Sequence, residues 1–230
     1  MVKQRPEYNT KQILQLAVIV DNKQGFIKSG FGYYDRETEQ TVYDNKTAIM
    51  NYMQGLEQLP AITDEVNRAV DDITDGLRDE LIAKKLSGTL NSFEDSVLKA
   101  ISNVTTDSFG VSIIASLPNS FRVQKKRQTL EDWFDSLRDK SEFVGKIGER
   151  VKMEVIVKDV KYIAKFGIHL VTCINKDNNI VKFFFNKEPD IAGILEGKTV
   201  KLTGKIKTHD VSKFSNCKET VFNYVKIEEI

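Results

Sequence analysis

Residues 199–227, TVKLTGKIKTHDVSKFSNCKETVFNYVKI, constrain this chain most, because their alternation fits little but paired strands. In the first run, 200–209, the apolar Val200, Leu202 and Ile206 interleave with Lys201, Lys205 and Lys207. In the second, 219–228, Val221, Asn223, Val225 and Ile227 alternate with Phe222, Tyr224 and Lys226. A polar connection carrying Lys213, Phe214 and Asn216 joins them. Basic and aromatic side chains thus project from short strands. Ammonium groups suit the phosphates of a single-stranded nucleic acid, and flat rings suit its unstacked bases. Solvated lysines and core rings of an ordinary β-domain give the same pattern, and both readings stand at this stage.

The two runs belong to a longer series. From Gly145 onward the chain reads as five β-runs, at 151–160, 166–175, 180–186, 199–208 and 219–228, with a helical insert near 190–195. Glu188-Pro189-Asp190 suits a helix start, and Glu196-Gly197-Lys198 a stop and a turn into the fourth run. Five strands with a helix between the third and fourth match the architecture of an OB-fold, a five-stranded Greek-key barrel. Lys158, Lys161, Lys165, Lys182, Lys205 and Lys207 punctuate the strands, accompanied by Tyr162, Phe166, Phe214, Phe222 and Tyr224. In the run Phe183-Phe184-Phe185, alternation buries either the middle ring or the outer two. His169, Cys173, His209 and Cys217 all lie in this region. Four N/S ligands suit a tetrahedral zinc, but their spacing matches no common zinc knuckle, and free cysteines commonly serve as small core hydrophobes.

Residues 1–140 read as an α+β domain of unassigned role. Residues 12–44 suggest a β-meander: QILQLAVIVD, a turn at 22–25, FIKSGFGYYD and TEQTVYD. Gly30 and Gly32 suggest a bulge or a close approach by another backbone; Phe26, Phe31, Tyr33 and Tyr34 suit either a stacking surface or a core. A short helix is expected over 47–57, ended by Pro60. Thr63 caps the clearest helix, with Asp64 and Glu65 at its start, Lys84 and Lys85 at its end, and an apolar stripe of Val66, Val70, Ile73, Leu77 and Leu81. Its opposite stripe, Asp71, Asp72, Asp75 and Glu80, reads as solvated surface. Ser92, with Asp95 three residues on, suggests a capping box for the next helix. FGVSIIASLP (109–118) reads as a buried strand closed by a PNS turn. The basic cluster Arg122, Lys125, Lys126 and Arg127 fits a solvated linker or a phosphate contact. Thr129 caps a third helix with Leu130, Trp133, Phe134 and Leu137 on one face.

The chain of 230 residues therefore divides into 1–140 and a barrel domain, 141–230. Its net charge of +1 is unevenly spread: residues 151–230 hold 14 Lys and Arg against 10 Asp and Glu, which permits nucleic-acid contact at that end without demanding it. Two cysteines make no disulfide framework, the N-terminus lacks an apolar signal core, and no run reaches the roughly 20 apolar residues of a membrane span. A cytoplasmic location and no membrane contact are expected. Neither a Walker motif nor a supported Ser-His-Asp or Cys-His arrangement occurs, so no enzyme activity and no cofactor are expected.

The segment GKIKTHDVSKF…ETVFNYVKI resembles the last two strands of an OB module found in phage and mobile-element replication proteins, through Gly204, Lys207, His209, Phe214 and Thr220. The run-in at 142–155 is similar to theirs at Gly145, Gly148 and Arg150. Glu219 and Tyr224 depart from the family pattern, and the connection through 215–218 is longer. The resemblance implies a non-catalytic single-stranded DNA-binding protein of a phage-like replication or recombination system. Tyr162, Phe166, Phe214 and Tyr224 are the expected stacking residues; Lys161, Lys165, Lys182, Lys205, Lys207 and Lys213 the expected phosphate contacts. Replication or recombination proteins are the further expected partners. A protein-interaction subunit gripping a replication or transcription protein is the alternative, because fold does not settle function.

Overall fold

The computed structural model describes residues 6–189 and 193–230. They form two compact units, dividing at Lys126/Arg127 rather than near residue 140.

The first unit is mainly helical; the expected α+β character survives only as two short antiparallel pairs. Strand β1 (Tyr8–Asn9) pairs with β4 (Thr105–Thr106), and β2 (Tyr33–Asp35) with β3 (Gln40–Val42). The expected meander over 12–44 is overturned at its first run, which is helix α1 (Thr10–Gln24). Asn9 caps it, its Oδ1 accepting from Gln12 N at 2.9 Å. Ile13, Leu14, Leu16, Ala17, Val18 and Val20 are all buried. A helix buried nearly all round loses the polar stripe that would reveal its period, so its apolar run is indistinguishable from a buried strand. Helix α2 (Asn45–Met53) follows, capped by Asp44.

Helix α3 (Asp64–Leu86) forms as its sequence indicates, with Thr63 as N-cap and all five stripe residues buried. Helix α4 (Ser92–Ser102) starts from Asn91 rather than Ser92. Asn91 Oδ1 accepts from Glu94 N at 2.9 Å while Glu94 Oε2 accepts from Asn91 N at 3.0 Å, so the capping box lies one residue earlier than Ser92/Asp95.

The expected strand at 109–118 is also overturned. Asp107 Oδ1 accepts from the amides of Phe109 and Gly110, starting helix α5 (Ser108–Ile114). Pro118 then lies in the first turn of helix α6 (Leu117–Leu137), where its missing N–H costs nothing. PNS is therefore no turn, and Thr129 lies inside a helix rather than at the start of one. Gly76 of α3 permits close approach to α6: a Cβ there would stand 2.7 Å from the Phe121 ring.

The second unit is a closed five-stranded barrel of β5 (Arg150–Ile163), β6 (Ile168–Asn175), β7 (Ile180–Phe185), β8 (Thr199–Val211) and β9 (Lys218–Glu229), close to the five expected runs. The order around the barrel is β5-β6-β7-β9-β8. All pairs are antiparallel except β7–β9. The long β5 pairs with β8 through its first half and β6 through its second, with a register shift between Val157 and Asp159. The core holds Val155, Val157, Val171, Cys173, Val181, Phe183, Val200, Leu202, Ile206 and Phe222, with Ile194 contributed from outside the strands. Phe183 is buried, Phe185 packs against this core, and Phe184 is exposed, so the outer pair of the triple points inward. Of the expected helical insert at 190–195, residues 190–192 lie outside the described residues, and 193–195 form a turn and no helix.

The run-in to β5 ties the barrel together. Ser141 Oγ donates to Lys218 O (2.7 Å) and accepts from Ile180 N (2.9 Å), while Val144 N donates to Thr220 Oγ1 (2.9 Å). The end of α6 belongs to this unit as well. Phe134 and Leu137 cluster with Ile174, Ile180 and Cys217, with Leu130 and Trp133 packed alongside. This contact explains why the division precedes Arg127.

Candidate nucleic-acid interface

The barrel presents its polar side chains in separate groups, because a strand's residues alternate between faces. Inward residues of β6 and β7 are Val171, Cys173, Val181 and Phe183; the outward ones include Thr172 opposite Lys182 and Ile174 opposite Ile180. That outer face is not open along its length. Phe134 and Leu137 cover Ile174 and Ile180, and the Lys182 ammonium lies 5.5 Å from the Phe134 ring centroid while pairing with the Glu219 carboxylate. The Lys182 side chain is 15% exposed. It is committed to an internal ion pair, which overturns its expected role as a surface phosphate contact.

The β5–β6 hairpin end carries Lys161, Tyr162, Lys165 and Phe166. Tyr162 is paired with His169, their ring centroids 5.0 Å apart, and Lys161 with Leu170. Neighbouring residues point oppositely, so Lys161 and Tyr162 do not share a face. Lys165 Nζ stands 5.4 Å from the Phe166 ring centroid, and that ring is exposed. Lys213 and Phe214 lie between β8 and β9. Lys213 is exposed, and Phe214 is also exposed on one side but edge-on to Phe134, with ring centroids 6.2 Å apart.

Lys205 and Tyr224 lie on the outer face of β5, β8 and β9, with the exposed Lys207 further along β8. The register builds three outward rungs across these strands: Arg150–Lys205–Asn223, Lys152–Thr203–Lys226 and Glu154–Lys201–Glu228. Lys152 pairs with Glu228 at 3.0 Å. Arg150, Lys205 and Lys226 are exposed and have no carboxylate partner among the described residues. The cations of Arg150, Lys152 and Lys226 escape a reading of single runs, since cross-strand register assembles them and only a bulge turns Lys226 outward; alternation alone exposes Lys205 without saying what it faces.

Tyr224 owes its exposure to a bulge. Phe222 faces inward opposite Ile206, and strict alternation would put Tyr224 inside as well. Instead Tyr224 and Val225 together oppose the single Gly204. Val225 and Ile227 then pack against the core, and Tyr224 is 75% exposed at φ 51°. The alternation expected for 219–228, which grouped Val221, Asn223, Val225 and Ile227, therefore changes sides at Tyr224. A second register shift, between Ile206 and Thr208, leaves the exposed Lys207 without a partner residue on β9.

The basic cluster upstream is largely committed. Arg122 grips the buried Asp21 carboxylate, Lys125 lies over the Phe121 ring at 4.5 Å, and Arg127 pairs with Glu131 at 2.8 Å.

The cysteines suit packing rather than chemistry. Burial pushes the Cys173 thiol up to about 12 and also raises that of Cys217. His169 lies against Tyr162, and His209 is stacked on Phe143 at 4.7 Å with Nε2 3.1 Å from Val144 O. Among the described residues, no group of three or more His, Cys, Asp or Glu side chains is placed to hold a metal ion, and no helix is long and apolar enough to cross a membrane.

Compared with family models, curated proteins and solved structures, the chain matches none.

Proposed function

We propose that the chain is a non-catalytic single-stranded DNA-binding protein whose second unit is an OB-fold barrel. The strand order supports the fold assignment: counted from β5, the barrel runs first-second-third-fifth-fourth, the order of a five-stranded Greek-key barrel with a parallel third–fifth pair. The exposure of four aromatic rings on that barrel supports the function. Tyr162, Phe166, Phe214 and Tyr224 stand in water among lysines, an arrangement suited to stacking bases while ammonium groups neutralise phosphates. Assignment to a phage-like replication or recombination system rests on the resemblance carried by Gly204, Lys207, His209, Phe214 and Thr220.

The test is fluorescence anisotropy of a labelled single strand of about 30 nucleotides, long enough for at least one OB site. It is titrated at low and moderate salt with duplex DNA and single-stranded RNA as competitors. Salt-sensitive binding that duplex does not displace is the expected result. Absence of binding at low salt rejects the reading. Preference for RNA corrects the ligand while preserving the mechanism.

The cover on the β6–β7 face favours a second reading, a protein-interaction subunit, since that is the face from which OB barrels commonly bind oligonucleotides.

A further inference from the structure

We propose that the single strand crosses the barrel on the outer face of β5, β8 and β9, with Tyr224 as its stacking platform. This rests on the single-stranded-DNA reading above and specifies its site. The β6–β7 face is unsuited to the task because Phe134 and Leu137 cover it and its lysine, Lys182, is neutralised by Glu219.

The opposite strands offer what that face lacks. Arg150 and Lys205 are direct cross-strand neighbours on the first rung, and Lys226 stands one rung along, all exposed. Like charges directly opposite destabilise a sheet, so Arg150 beside Lys205 carries a cost that an anion between them would relieve. The charge pattern also orients the path. Glu154 and Glu228 flank Lys201 on the third rung and repel phosphate there, leaving the first two rungs and the exposed Lys207 as the attractive end.

Tyr224 provides the second, independent observation. A bulky residue at positive φ is uncommon and strained, and such strain concentrates at functional sites. Here the bulge turns an aromatic ring outward beside Asn223 and Lys226. Gly204 makes the bulge fit: a Cβ there would meet Phe222 and Val225 at 3.1 Å and Asn223 O at 3.3 Å.

The experiment uses the full chain and a fluorescein-labelled oligothymidine. Tyr224→Gly removes the ring while supplying a residue at ease at φ 51°, so its melting temperature holds or rises and a loss of binding reports the ring itself. Affinity is expected to fall about tenfold, the loss of one stacked base. Lys205→Gln with Lys226→Gln should flatten the slope of log affinity against log salt by roughly 1.4, the effect of two single-strand phosphate contacts. Phe93→Ala, which removes an exposed ring on α4 of the first unit, is the contrast and should bind like the unaltered chain. If Tyr224→Gly and the lysine pair bind like the unaltered chain while that chain binds tightly, the site is overturned and the single-strand reading survives. If the unaltered chain fails to bind at low salt, both fall.

Discussion

The Lys182 ammonium lies between the Phe134 ring, 5.5 Å from its centroid, and the buried Glu219 carboxylate. A cation that reads from sequence as a surface contact is thus part of a joint between helix and barrel. Removing one member of such a pair strands the other charge in a dry site, at about 3–5 kcal/mol, whereas replacing both partners restores much of the loss. Lys182→Met and Glu219→Gln should each lower the urea midpoint strongly. The double variant should be more stable than the sum of the single losses allows. Simple additivity would show that the two side chains do not act as a pair.

Phe134 should carry most of the helix's hold on the barrel. It is buried, touches the cluster of Ile174, Ile180 and Cys217, and its carbonyl accepts from Cys217 Sγ at 3.3 Å. Phe134→Ala should cost about 3–5 kcal/mol, the usual range for a buried ring. Urea unfolding followed by Trp133 fluorescence measures it, because the Trp133 ring lies tilted against Phe134, centroids 4.8 Å apart, and reports the same contact. A loss below about 1 kcal/mol would mean that the helix holds by other contacts.

Legibility differed between the two units for a physical reason. Strands β5 and β8 each have one wet face and one dry face, so Lys201, Lys205 and Lys207 announce the exposed side of β8 directly. Helix α3 was equally plain, having one apolar stripe on a charged cylinder. Helix α1 and the short α5 have little polar side to show: Ile13 through Val20 are apolar apart from Gln15, and Val111 and Ile114 are wholly buried, so they read as strands. Candidate-site residues on one strand could be chosen from sequence. Which of them meet depends on register, and a single added residue at Tyr224 reverses every assignment beyond it on β9.

The capping box at α4 predicts a pH response. The Asn91 backbone N–H, and then Lys84, hold the Glu94 carboxyl below its ordinary range. A carboxyl whose folded value is lowered contributes stability that is present above its unfolded value and lost as pH falls through the folded one. Thermal stability should therefore decline on acidification below about pH 4.5, and Glu94→Gln should decline less than the unaltered chain over that interval. Asn91→Ala, which removes the reciprocal bond, should cost about 1 kcal/mol at neutral pH. An unchanged acid profile in Glu94→Gln would assign the response to other carboxylates.

The two thiols should report unfolding of the barrel. Cys173 lies in the core with its thiol pushed up to about 12, and Cys217 is buried beneath Phe134, its thiol also raised by burial. Only the thiolate alkylates, so at neutral pH both should resist iodoacetamide in the folded chain and react fully in denaturant, as mass spectrometry of intact protein would show. Phe134→Ala should expose Cys217 first, because the ring that covers it is gone while the strands around Cys173 remain closed. Modification of both thiols at one rate in that variant would instead mean that helix and barrel open as a single cooperative unit.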